Sequence, residues 1–170
     1  MSTFTHLWKN YPKQDELEAK CTNKQPDSNQ KFANYCAVNM SECLHRSAIQ
    51  IGGITGNKCW SHSGLKHVLL AQDLANGLKN ATPPGFARMV KVNPARFQDD
   101  LKDKTGVIFF KDYWQRGNEI FENRSGDHID LWNKNRITSN PMWIRNILEI
   151  IWPNVSDLNK SRELWFWEVK

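Results

Sequence analysis

Apolar positions recur along this chain at two different spacings, and the change from one to the other divides it. Phe32, Cys36, Met40, Cys43 and Leu44, continuing to Ser47 or Ala48, fall three or four residues apart. That is the spacing of one buried helical face. It predicts a helix that carries Cys36 at its start and runs to about residue 47. Leu65, Val68, Leu69, Ala75 and Leu78 predict a second amphipathic helix from about Gly64 to Lys79, closed by Pro83-Pro84-Gly85. A short helix over Thr5 to Tyr11 stops before Pro12, because a residue preceding proline avoids helical geometry. Another short helix follows Pro94, with Phe97 and Leu101 inward.

After residue 104 the pattern changes. Gly106-Val107-Ile108-Phe109-Phe110 is a continuous apolar run of strand length and predicts a buried, central strand. His128-Ile129-Asp130-Leu131-Trp132-Asn133 alternates apolar and polar positions as half-buried strands do. Glu163 to Val169 reads as a last strand, with Trp165 and Trp167 on one face, Phe166 on the other and all three packed in the core. Pro141 to Trp152 is strongly apolar. Residues 13–31 and 112–125 are polar connections. Gly52 to Asn57 reads as a flexible surface loop that lacks the Gly-Lys-Ser/Thr ending of a phosphate-binding loop. Helices first and strands later predict an α+β fold, with the helices packed on one side of an antiparallel sheet.

At 170 residues the chain suits a single domain spanning 1–170. Its 23 Lys and Arg against 18 Asp and Glu give a net charge of +5, but the basic residues are scattered, so no nucleic-acid footprint is expected. An acidic polymer such as a bacterial wall would be attracted to such a surface. No basic region followed by an apolar stretch opens the chain, and no segment has the length of a membrane span. Synthesis in the cytoplasm without a cleavable signal, and no membrane insertion, are therefore expected.

All four cysteines, Cys21, Cys36, Cys43 and Cys59, lie in the first third of the chain. None is spaced as CxxC and no second ligand pair clusters nearby, so no structural zinc site is expected. Cys43, on the face of Cys36, reads as a small buried apolar side chain. Whether Cys21 pairs with Cys59 stays open. His6, His45, His62 and His67 read as surface or structural histidines without a ligand-like grouping.

A thiol in the first turn of a helix faces the positive end of the helix dipole, which favours the nucleophilic thiolate. His128 is the candidate base, and Asp130 lies two residues along its strand on the same face. Such a dyad transfers the thiol proton to imidazole, attacks an acyl carbon and returns the proton to the leaving amine. Helix-start amides, that of Cys36 among them, are candidates to stabilise the oxyanion. On the residues alone, the commoner reading of Cys36 is a buried structural thiol, since free cysteines are usually inert core residues, and that of His128 a core or capping histidine.

Two motifs weight the balance. Asn34-Tyr35-Cys36-Ala37-Val38-Asn39-Met40-Ser41 resembles the Asn-x-Cys-Ala-x-x-Met-Ser motif of the fourth subfamily of type VI secretion amidase effectors. His128-Ile129-Asp130-Leu131-Trp132-Asn133 resembles that family's Gly-His-x-x-Leu-Trp-Asn. The resemblance implies a papain-like cysteine peptidase fold of the NlpC type. It also implies hydrolysis of peptidoglycan stem peptides between D-glutamate and meso-diaminopimelate, and no cofactor. It further implies delivery by the secretion apparatus to the periplasm of a rival cell, and a cognate immunity protein as partner. Carried over, Cys36 is the nucleophile and His128 the base. The family's third member, an aspartate shortly after the second motif, has no match, because residues 138–140 read Thr-Ser-Asn. Asn140 is the candidate to orient the imidazole, with Asp130 its rival. Asp127 stands where the family motif has glycine. Other readings are a transglutaminase-like acyltransferase using the same dyad, and a non-enzymatic basic module that binds wall or nucleic acid.

Overall fold

A computed structural model describes residues 2–22, 32–50, 53–138 and 158–170. The chain divides into two compact units, Met1–Gly85 and Phe86–Lys170.

The first unit is helical. Helix α1 (Thr3–Asn10) is capped by the Ser2 hydroxyl, which accepts from the Thr5 amide, and buries Phe4 and Leu7. It ends before Pro12, as expected. Helix α2 (Gln14–Glu18) is a short turn within a stretch expected to be loop. Buried Leu17 anchors it, an isolated apolar residue too sparse to register as a period. Helix α3 (Cys36–Arg46) starts at the expected residue and buries Cys36, Met40, Cys43 and Leu44. The Cys43 thiol donates to the Leu7 carbonyl at 3.2 Å, so this buried sulfur also ties α3 to α1.

Helix α4 is Ala71–Ala81, not 64–79. Leu65 is 67% exposed, and Val68 is drawn into a bridge with Lys58. The apolar positions before residue 71 therefore belong to a looped segment held by backbone pairing. The stretch read as a flexible surface loop also differs where it is described: Ile54 is buried and lies against α4 at Gly77. A Cβ at Gly77 would approach Ile54 Cγ1 to 2.2 Å, so only glycine permits this contact.

The second unit is built on a five-stranded antiparallel sheet. Its strands are β1 (Val90–Val92), β2 (Thr105–Trp114), β3 (Gly126–Asn133), β4 (Arg136–Ile137) and β5 (Glu163–Glu168), in the spatial order β1-β5-β2-β3-β4. The apolar run expected to be central is central: β2 pairs Ile108 with Asp130 of β3 and with Phe166 of β5. At Gly106 a Cβ would come within 2.0 Å of the Trp167 carbonyl, which explains a glycine inside a strand. After Pro94, a 3-10 turn runs into α5 (Phe97–Asp100). Phe97 and Leu101 then pack with Ile108, Phe110, Trp132 and Phe166. Trp165 and Trp167 are buried, so the aromatic end of the chain serves the core as expected.

Strand β3 departs from expectation in one respect that bears on function. Gly126 to Trp132 are all buried, so its alternation does not mark one wet face. Asp127, His128 and Asp130 are polar groups placed in a dry strand. Residues 139–157, which include Asn140 and the whole apolar stretch from Pro141 to Trp152, lie outside the described residues.

Candidate active site

In the first unit the candidate nucleophile is the first residue of α3 and is 6% exposed. Two neighbours hold the chain as it enters the helix. Asn34 Oδ1 accepts from the Cys36 amide at 2.8 Å, an Asx-type cap that explains asparagine two residues before the cysteine. That amide is thus already engaged within the capping turn, which counts against it as the oxyanion donor. Tyr35, the N-cap, donates its hydroxyl to the Cys21 carbonyl at 2.7 Å and accepts from the Phe32 amide at 3.2 Å. Its ring is buried, so the backbone beside the sulfur is fixed by a side chain that is itself fixed.

In the second unit, His128 is fully buried on β3. Its Nε2 lies 3.3 Å from Asp130 Oδ2, the carboxylate also being fully buried. Asp130 is held in turn, because its Oδ1 accepts from the Leu131 amide at 2.7 Å and from the Thr138 hydroxyl. The register places His128 opposite Phe110, and the two rings stack with centroids 6.3 Å apart. Tyr113 meets the imidazole edge-on at 6.1 Å. A carboxylate hydrogen-bonded to one ring nitrogen fixes the tautomer and leaves the other nitrogen to exchange protons.

Asp127 points to the opposite face. Its Oδ1 accepts from the Asp112 amide at 2.9 Å, at the place where β2 bulges between Phe110 and Trp114 and Asp112 adopts φ of 50°. The aspartate at the family's glycine position therefore braces the strand beside the histidine. Burial raises its carboxyl above the usual range.

A second constellation, in the first unit, corrects the reading of the histidines. Cys21, Cys59, His62 and His67 bring ligand atoms within 4.8 Å of one another, and Glu42, His45 and His67 form a neighbouring group. Burial opposes ionisation of Glu42, yet hydrogen bonds from His67 and Arg46 outweigh it and hold the carboxyl at about 2. A ligand-like grouping does exist, then, for His62 and His67. The sequence conceals it, because Cys59, His62 and His67 come from a loop without CxxC spacing and Cys21 is remote in sequence. Among the described residues, no helix is long and apolar enough to cross a membrane.

Comparison with solved structures shows the fold. A type VI effector–immunity complex, Tae4–Tai4 from Enterobacter cloacae, aligns at a TM-score of 0.63 and 17% identity, covering 100% of this chain and 99% of that one. The Tae4–Tai4 complex from Salmonella Typhimurium aligns at 0.59 and 16% identity, covering 99% and 96%. The Salmonella effector bound to the Enterobacter cloacae immunity protein aligns at 0.61 and 16%, covering 99% of both chains. The likeness shows the α+β, papain-like fold that the two motifs imply. No curated protein matches the sequence significantly. The family model of Tae4, described as type VI secretion system amidase effector protein 4, matches residues 32–167, a span that contains both motifs and most of the chain. The chain belongs to the Tae4 family of type VI secretion amidase effectors.

Proposed function

We propose that this member of a peptidoglycan amidase family is a cysteine amidase that cleaves stem peptides between D-glutamate and meso-diaminopimelate, with residues 1–170 acting as one catalytic domain. The family match across both motifs carries the reading, because it spans Cys36 and His128 in one alignment. The thiol proton passes to His128, and the thiolate attacks the amide carbonyl to form a tetrahedral oxyanion. The imidazolium then protonates the leaving diaminopimelate nitrogen as the C–N bond breaks, leaving a thioester on Cys36. Water, deprotonated by His128, attacks the thioester and releases the D-glutamyl carboxylate and the thiol.

Asp130 is the residue we assign to position the imidazole, on the strength of its 3.3 Å approach to Nε2 and its own two hydrogen bonds. Asn140 remains the rival. The relatives bound to Tai4 support a cognate immunity protein for this chain, which would block the amidase in the producing cell. Delivery into the periplasm of a target cell by the secretion apparatus completes the proposal.

Digestion of purified peptidoglycan followed by mass spectrometry tests the chemistry. The expected product is a fragment with a new amino terminus on diaminopimelate. In heavy-oxygen water the other fragment carries the label at its new carboxylate. Cys36→Ala and His128→Ala each lower the rate by about a thousandfold or more. Cleavage that survives Cys36→Ala would sink the cysteine mechanism. A pulldown from the producing bacterium that yields no tight-binding inhibitor would remove the immunity partner.

A further inference from the structure

We propose that Cys21, Cys59, His62 and His67 form a closed, tetrahedral site for a zinc ion, with Glu42 as the outer partner of His67. The site lies wholly within the first unit and is separate from the proposed nucleophile.

Four ligand atoms crowd around one point, at separations from 2.9 to 3.5 Å that lie at or somewhat below the edges of a tetrahedral zinc site. Cys21 Sγ lies 3.3 Å from His62 Nε2 and 2.9 Å from His67 Nδ1. Cys59 Sγ lies 3.0 Å from His62 Nε2 and 3.5 Å from His67 Nδ1. The two ring nitrogens are 3.3 Å apart. Zinc bonds of about 2.3 Å to sulfur and about 2.05 Å to nitrogen, at tetrahedral angles, require edges of about 3.6 Å between S and N and about 3.3 Å between N and N. Two independent thiol–imidazole hydrogen bonds would need only two short contacts. Five converge here, including a nitrogen–nitrogen approach that thiol hydrogen bonds do not explain.

Protonation points the same way. His62 Nδ1–H donates to the Ser63 carbonyl at 2.8 Å, so its Nε2 turns a lone pair toward the cluster. His67 Nε2–H donates to Glu42 Oε2 at 2.8 Å, so its Nδ1 does likewise. A carboxylate that fixes the tautomer of a ligating histidine is the usual outer support of a zinc site. The His67 amide also donates to Cys59 Sγ at 3.1 Å, as amides do to metal-bound thiolates. Cys21, Cys59 and His67 are buried, which gives the dry shell that a structural ion occupies. Two sulfurs and two imidazoles favour zinc over calcium or magnesium, and four protein ligands leave no position for substrate.

The ion would fasten the segment after α2 to the loop before α4. Through the Cys21 carbonyl it would also brace Tyr35, the residue that precedes Cys36.

Titrating the full-length chain, reduced and stripped of metal, with cobalt(II) and then zinc(II) tests the assignment. Expected are intense visible bands of tetrahedral cobalt with sulfur-to-cobalt charge transfer, displaced by stoichiometric zinc. Cys36→Ala retains these bands, whereas Cys21→Ser and Cys59→Ser each reduce them. Glu42→Gln keeps all four ligand atoms and reports without loss of a buried thiol; its zinc affinity falls about tenfold. A natively folded, reduced chain that develops no such bands would overturn the site. So would bands that survive the combined Cys21→Ser and Cys59→Ser replacement, or a zinc affinity unchanged by Glu42→Gln.

Discussion

Two carboxylates flank His128 on β3, and their surroundings give them different work. Asp130 shares the face of the imidazole and reaches Nε2, whereas Asp127 points away and receives the Asp112 amide. Replacing Asp130 by Asn keeps the size of the side chain but removes the charge that stabilises the imidazolium. Asp130→Asn is expected to lower kcat/KM by about a hundredfold and to move the ascending limb of the pH profile toward lower pH. Steady-state kinetics across pH checks this. A larger loss in Asn140→Ala, with Asp130→Asn near parent activity, would transfer the positioning role to Asn140.

Asp127 makes a prediction about stability. Its folded carboxyl titrates above the ordinary value of 3.8 because burial disfavours the anion, so its ionised form weakens the fold at neutral pH. The linkage runs opposite to that of a salt-bridged aspartate: stability is fullest below the unfolded value and is lost as pH rises through the folded one. Asp127→Asn, whose amide oxygen still accepts from Asp112, should therefore raise Tm at pH 7. The gain should shrink as pH falls toward 3.8, as thermal melts across that range would show. An equal gain at all pH values would refute the burial argument.

Individual elements were legible in the sequence where one face is buried in a regular period. Helix α3 begins at Cys36 as its spacing predicts, and β2 and β5 follow from their apolar runs. Helix α4 starts later than the spacing predicts, because Leu65 and Val68 mimic helical spacing while lying in a loop organised by pairing. Strand β3 was found, but its dry polar face was not, since alternation cannot tell a wet polar position from a buried one satisfied by partners. The Cys/His cluster is concealed in the sequence because Cys59, His62 and His67 share a loop without CxxC spacing and Cys21 joins them only through tertiary structure. Gly77 shows the same limit within a helix: alanine there should gain about 1 kcal/mol from helix propensity, yet the clash with Ile54 should cost more. Gly77→Ala is expected to destabilise the chain by about 1–3 kcal/mol net, read from denaturant unfolding. Gly77→Ala combined with Ile54→Val should be less damaging than Gly77→Ala alone, because it removes a methyl group from the crowded contact.

At the scale of the whole molecule, both family motifs were readable because each is local, while the choice between Asn140 and Asp130 as the partner proposed for His128 stayed open in the sequence, because it depends on burial and distance. The sheet order adds something that neither motif contains. β5 is the last strand in sequence yet lies between β1 and β2, pairing Val90 with Phe166 on one side and Ile108 with Phe166 on the other. The sheet therefore cannot close in the order in which it is synthesised. Until residues 163–168 emerge, β1 lacks its only strand partner among the described residues and β2 lacks its neighbour on that edge, leaving the kind of apolar surface that recruits other strands. A chain ending at Arg162 should associate rather than fold, giving large species in light scattering and no amidase activity; a soluble, monomeric truncation would contradict this. Long-range pairing of this kind makes folding slow and late, so synthesis must reach its final strand before the catalytic scaffold can exist. For a cell that manufactures an enzyme directed against walls, the timing of its folding would then be set by the last strand of its sheet.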